Sequence, residues 1–133
     1  MHTLPCQAGV TYRIAGKGKP AVVLLHPAFA DGRAFKPQFQ ALCARYRVIA
    51  IDLPGHGHTR ISGPRVDPPP SMANVADAIT DIFFAEGVSS AHVVGVSMGG
   101  LVAQDFGRRY PRLTRSVTVV GSFSVTDAVA IAA

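Results

Sequence analysis

Ser97 is the residue whose setting most directly implies chemistry. It stands at the centre of Gly95-Val96-Ser97-Met98-Gly99, after the β-branched pair Val93-Val94 and just before a stretch of helical periodicity. A buried strand, a sharp turn and a helix start must therefore follow one another here. Such a turn forces its apex residue into a strained backbone conformation. Gly95 and Gly99 fall where a Cβ would strike the neighbouring strand or helix. The geometry lifts the hydroxyl clear of the sheet and aims the first free N–H groups of the helix at the same spot. A nucleophile and anion-stabilising donors thus arrive together, the minimum for covalent catalysis by a hydroxyl.

Other chemistry-bearing side chains are sparse. His26 opens the loop His26-Pro27-Ala28-Phe29-Ala30-Asp31-Gly32, and Asp52 opens Asp52-Leu53-Pro54-Gly55-His56-Gly57. His56 and His58 have a His-x-His spacing, but no recognisable motif places further ligands, so they read as loop histidines and no metal is expected. Cys6 and Cys43 have neither metal nor redox spacing and read as two reduced thiols. The formal charge of +5 comes mostly from arginine. Its only cluster, Arg108, Arg109, Arg112 and Arg115, surrounds the end of the helix after Ser97, where the macrodipole favours cations. Without interleaved aromatics or a binding motif, a nucleic-acid partner is not expected.

The elements that must position these groups follow from periodicity. Residues 10–15 alternate as a half-exposed strand, and Gly16-Lys17-Gly18-Lys19-Pro20 is a turn. Ala21–Leu25 is apolar without alternation, the mark of a parallel strand buried on both faces. Phe35, Phe39, Leu42 and Tyr46 keep helical spacing, with Pro37 suited to the first turn. Residues 47–51 form another strand, and residues 59–70 form a proline-rich loop. Ser71 caps a helix whose apolar positions are Met72, Val75, Ala76, Ile79, Ile82 and Phe83, and Gly87 stops it. Residues 92–96 lead into the serine turn, and its helix carries Leu101, Val102 and Phe106 until Pro111. Residues 116–120 are the last strand, and 124–133 are weakly helical.

Strand and helix alternate three times after residue 20, so a mostly parallel α/β sheet with helices on both faces is expected. His26, Asp52 and Ser97 each follow a strand end and belong on one rim, where such sheets hold ligands. At 133 residues the chain fits a single domain, and its 48% hydrophobic and 16% charged content is that of a globular protein rather than a disordered one. No apolar run reaches the length of a membrane span, and the N-terminus lacks a secretory profile. A cytoplasmic setting without a membrane partner is therefore expected.

Three features now stand in order. These are His26-Pro27-Ala28-Phe29 after one buried strand, Asp52-Leu53-Pro54-Gly55-His56-Gly57-His58-Thr59 after the next, and Gly95-Val96-Ser97-Met98-Gly99 after a third. Together they resemble the α/β-hydrolase fold family over about residues 10–122, roughly the N-terminal half of a typical member. The resemblance implies that Ser97 is a nucleophile attacking the carbonyl of a small acyl compound, without a cofactor. The N–H of Met98 would donate to the oxyanion. A second donor would come from the loop after His26: Pro27 has no N–H, which leaves Ala28, with Phe29 in reserve. Loss of one such donor typically costs ~3 kcal/mol of barrier stabilisation. His26 would brace the loop, Asp52 would bind backbone N–H groups of its turn, and Phe29 would either line the acyl pocket or belong to the core.

The family completes its triad with an acid and then a histidine downstream. After Ser97 this sequence has no histidine, and its remaining carboxylates are Asp105 and Asp127. Asp105, about two turns past the serine, is expected to be solvated. Asp127 follows the last strand, where some relatives place their acid, but would have no histidine to orient. His92 precedes Ser97 by five residues of strand, ~16 Å. That leaves His26 and His56 as the only upstream bases on the correct rim. The strand 116–120 would also be an apolar edge without the charge or proline that blunts edges, open to self-association or to a complementing chain. The expectation is a partial α/β-hydrolase core, truncated after the strand following the elbow helix. Its full-length relatives would act on small esters, lactones or related acyl compounds, and this chain alone would be weakly active or inactive. A non-catalytic ligand-binding pseudoenzyme and one half of a two-chain hydrolase are the alternatives.

Overall fold

The computed structural model describes residues 2–3, 10–57 and 71–122. Among these residues six strands form one sheet: β1 (His2–Thr3), β2 (Thr11–Ala15), β3 (Ala21–Leu25), β4 (Arg47–Ile51), β5 (Ala91–Val96) and β6 (Thr114–Val120). Their order across the sheet is β1-β2-β4-β3-β5-β6. The first two strands pair antiparallel with their neighbours, and β4, β3, β5 and β6 run parallel. Every residue of β3 is buried, as its unbroken apolar run requires of a strand covered on both faces. The two-residue β1 left no signal in the sequence, because so short a run has no periodicity to read.

Among the described residues, three α-helices lie between the strands: α1 (Lys36–Leu42), α2 (Met72–Glu86) and α3 (Met98–Arg109). The chain leaves β3 toward β4 in one direction, then crosses back to β5. Right-handed crossovers made in opposite directions put their helices on opposite faces of the sheet. One face accordingly packs Ile79, Ile82 and Phe83 of α2 and Val102, Ala103 and Phe106 of α3 against Val23, Leu25, Ile49, Ile51 and Val93. Phe106 lies between Phe83 and Tyr110, with ring centroids 5.4 Å from each. Each such buried side chain contributes roughly 1.5–3 kcal/mol. The other face packs Phe35, Phe39, Leu42 and Tyr46 over Val22, Leu24, Val48 and Ala50.

Local chemistry sets the helix ends. The Ser71 hydroxyl accepts from the Asn74 N–H at 3.1 Å, and Gly87 closes α2 in the left-handed conformation at φ 65°. α1 is shorter than its apolar spacing predicts. A 3₁₀ turn (Gly32–Phe35) precedes it, with Asp31 capping through the Arg33 N–H, and it ends at Leu42. Tyr46 still packs on that face, but its segment is a turn that delivers Arg47 to β4, with the Arg47 N–H on the Gly18 carbonyl at 3.1 Å. At the far end of α2, the Arg47 guanidinium binds Glu86, whose carboxylate also accepts from the Tyr12 hydroxyl at 2.6 Å. Among the described residues no helix is long and apolar enough to cross a membrane.

Candidate active site

β3 and β4 end level and β5 runs one residue further, with Leu25 paired to both Ile51 and Gly95. The residues that follow, His26, Asp52 and Ser97, therefore share the carboxyl rim. The chain reverses its direction of travel across the sheet between β3 and β5, and such a switch point is where open α/β sheets hold ligands.

Ser97 has φ 53° and ψ −115°, conformational space that L-residues avoid, and α3 begins at the next residue. The flanking glycines are explained by distance. A Cβ on Gly95 would lie 2.1 Å from the Gly99 carbonyl oxygen, and a Cβ on Gly99 would lie 2.1 Å from that of Leu25. Both obstacles are backbone, so neither can swing aside. The main chain of Ser97 is pinned on two sides. Its N–H donates to the Val120 carbonyl at 2.9 Å, and its own carbonyl accepts from the Gly100 N–H at 2.9 Å. The residue itself is exposed. Met98 is the first helical residue, so its N–H is one of the donors that intrahelical bonding leaves free.

The loop after β3 is tied down by His26, which is fully buried. Its Nε2 lies 2.9 Å from the Leu53 N–H, which can only donate, so Nε2 accepts and the proton must sit on Nδ1. Nδ1–H then donates to the Pro27 carbonyl at 2.7 Å. Burial pushes the imidazole pKa below its ordinary value, and the ring stays neutral. With both nitrogens committed, His26 has no lone pair left for a serine proton, which removes it as an upstream base. The loop itself closes with the Ala30 N–H on the Pro27 carbonyl at 3.3 Å. Among the described residues, the N–H groups of Ala28 and Phe29 have no backbone partner.

Asp52 is fully buried and braces more than its own turn. Its Oδ1 accepts from the Gly32 N–H at 2.8 Å and from the Arg13 guanidinium at 2.9 Å. One carboxylate thus joins β2, the loop after β3 and the loop after β4, a reach that an Asx-type reading of the turn did not contain. His56 is half-buried, with Nδ1 3.1 Å from the Pro54 carbonyl and its ring 5.1 Å from that of His26. Its Nε2 has no partner among the described residues, unlike either nitrogen of His26.

Asp105 is not solvated as the sequence led us to expect. It is buried and clamped by Arg108 at 2.9 Å and Arg109 at 2.7 Å, one turn further along α3. The i+3 and i+4 spacing of the two arginines was the available signal, and it also absorbs half of the basic cluster. His92, near the start of β5, stays remote as expected, its Nδ1 2.6 Å from the hydroxyl of Ser116 on β6. His58, Asp127, Cys6, the loop 59–70 and the stretch 124–133 lie outside the described residues. Among the described residues, no group of three or more His, Cys, Asp or Glu is gathered as a metal site would require.

A family model described as "Alpha/beta hydrolase family" matches residues 22–133. The chain belongs to the α/β hydrolase family. Among curated relatives of this hydrolase-family chain, a putative carbamate hydrolase, RutD, of Azorhizobium caulinodans is 34% identical over 122 residues, 90% of this chain and 43% of that protein. A pimeloyl-[acyl-carrier protein] methyl ester esterase of Chromobacterium violaceum is 37% identical over 107 residues, 80% of this chain and 38% of its own length. A solved N-acyl homoserine lactonase, AidH, superposes with a TM-score of 0.78 at 32% identity, covering 91% of this chain and 44% of the lactonase. This hydrolase-family chain spans less than half the length of the curated relatives it matches.

Proposed function

We propose that Ser97 is the nucleophile of a serine hydrolase acting on small esters, lactones or related acyl compounds. The observation that carries this reading is the exposed Ser97 at φ 53°, held by two glycines whose Cβ positions are already taken by backbone. Strain of this kind costs of order 1–3 kcal/mol and persists only where the surroundings enforce it. In the reaction, Oγ bonds to the acyl carbon while the carbonyl π electrons move to oxygen. The N–H groups of Met98 and Ala28 receive that oxyanion, and its collapse expels the alcohol or lactone oxygen to leave an acyl-serine. The relatives' names, an esterase, a carbamate hydrolase and a lactonase, support the acyl class.

A base must take the Oγ proton, and His26 cannot. His56, with Nε2 unpartnered among the described residues, is the one upstream histidine left on the rim, without a carboxylate bonded to it there. No histidine follows Ser97 in the sequence. In this reading the chain alone turns substrate over weakly or not at all, and a second segment pairing with β6 supplies the missing acid and base. The test is intact-mass labelling of the purified chain with methanesulfonyl fluoride, alongside hydrolysis of p-nitrophenyl acetate. Labelling that disappears in Ser97→Ala, with turnover near background, is the expected result. A chain that binds acyl ligands equally well in wild type and Ser97→Ala, yet never labels, would instead be a binding module.

A further inference from the structure

The amino ends of the parallel strands carry a second cavity, away from the Ser97 rim. Ala21 opens β3 and pairs with Arg47 on β4 and Ala91 on β5, and Ala91 pairs in turn with Thr114 on β6. Against this row of strand starts lies a cleft of about 650 Å³. The length of β5, ~20 Å of extended chain, separates it from Ser97. Its charged lining residues are all cations: Lys17, Lys19, Arg47 and Arg115.

One of these is already neutralised, since the Arg47 guanidinium donates to the Glu86 carboxylate at 2.6 Å. Lys17, Lys19 and Arg115 have neither an ion-pair nor a side-chain hydrogen-bond partner among the described residues. The two lysines come from a braced loop. A Cβ on Gly16 would lie 2.0 Å from the Tyr46 carbonyl oxygen, and one on Gly18 would lie 1.7 Å from that of Arg45. Backbone therefore packs on backbone on both sides of Lys17, and the Gly18 carbonyl accepts from the Arg47 N–H at 3.1 Å. A loop so held offers its cations without first having to be ordered. Three like charges gathered at one cleft repel one another, and an anion placed among them removes that cost.

Two further features narrow the anion. Ser89 and Ser90 add hydroxyl groups to the cleft, while Pro20, Ala21 and Val88 add apolar surface. A phosphate monoester carries close to two negative charges at neutral pH and three acceptor oxygens. It suits three cations and two hydroxyls better than a carboxylate with one charge and two oxygens. The volume falls within the range of small-molecule sites, ~300–1,000 Å³.

We propose that this cleft binds a small organic phosphate, its phosphate on Lys17, Lys19 and Arg115 and its carbon part against Pro20, Ala21 and Val88. The site does not depend on the reading of Ser97 as a nucleophile.

The test is a titration of the isotope-labelled full chain with phenyl phosphate, at an ionic strength held constant with potassium chloride. Saturable shifts are expected in the backbone amides of residues 16–21, 88–91 and 115. Inorganic phosphate, lacking the apolar part, should bind about tenfold more weakly. Lys17→Gln and Arg115→Gln should each weaken phenyl phosphate about fivefold, and the triple variant with Lys19→Gln should weaken it further. All three side chains are exposed, so the variants keep the fold. Shifts that never saturate, or that persist unchanged in the triple variant, would overturn the site. Equal affinity for inorganic phosphate would overturn the organic ligand. A glutamate-rich peptide that displaces phenyl phosphate at lower concentration would overturn it in favour of an acidic protein partner. Labelling of Ser97 by methanesulfonyl fluoride should be the same in every variant, so either reading can fail alone.

Discussion

Among the described residues, the two faces of the sheet are covered to different degrees. Under α2 and α3 the core is continuous from Val10 to Phe106. On the opposite face, α1 and the 3₁₀ turn before it pack over β3 and β4, and Val94 and Val96 of β5 reach the edge of that cluster. Along β5 the residues facing α2 and α3, namely Ala91, Val93 and Gly95, are buried, while His92, Val94 and Val96 between them are half-buried. In β6 every residue from Arg115 to Val120 is exposed, and β5 is its only partner among the described strands. The contrast teaches where the site's rigidity comes from. β3, β5 and α3, which carry the elbow and its glycine contacts, are anchored on the face under α2 and α3. The relatives are more than twice as long as the part they share with this chain.

Mutations can break this comparison, and the largest effect belongs to the face under α2 and α3. Phe106 is fully buried between two aromatic rings, so Phe106→Ala should cost ~3–5 kcal/mol by urea denaturation. An intermediate effect concerns His26, which welds the rim. Its pKa is lowered from 6.5 by burial, so below that value the unfolded chain takes up the proton first. Stability is therefore full above ~6.5 and falls as pH drops beneath it, by at most about 1.4 kcal/mol per pH unit. In His26→Asn the slope between about pH 5 and 7 should flatten, and an unchanged slope would place the titration on another group. The smallest effect lies at the open corner. Val120 is 51% exposed, so Val120→Lys should leave stability within ~0.5 kcal/mol yet reduce self-association in sedimentation velocity. A loss as large as that of Phe106→Ala would mean this corner is not open.

What was legible in the sequence depended on how local its cause is. The elbow could be read because its glycines answer to atoms within a few residues or on one adjacent strand. β3 and β5 could be read from apolar runs that water would penalise anywhere else. The end of α1 could not, because the apolar spacing continues to Tyr46 while the hydrogen bonding changes to turns after Leu42. Nor could the reach of Asp52 to Gly32 and Arg13, since nothing at position 52 announces partners 20 and 39 residues away. Phe29 is exposed rather than part of the core, and its φ of 62° was hidden for a related reason. Closure of the 27–30 turn sets that φ, and the residue type argues against it. The expectation of a solvated Asp105 failed because polarity was weighed without its two arginines.

The Ser97 N–H rests on the carbonyl of Val120, the last residue of the outermost strand. One hydrogen bond thus leads from the backbone of Ser97 to the margin of the sheet. Anything that grips that margin pulls on the backbone of the residue proposed as nucleophile, so a docking event there is expected to alter the reactivity of Ser97 without entering the pocket.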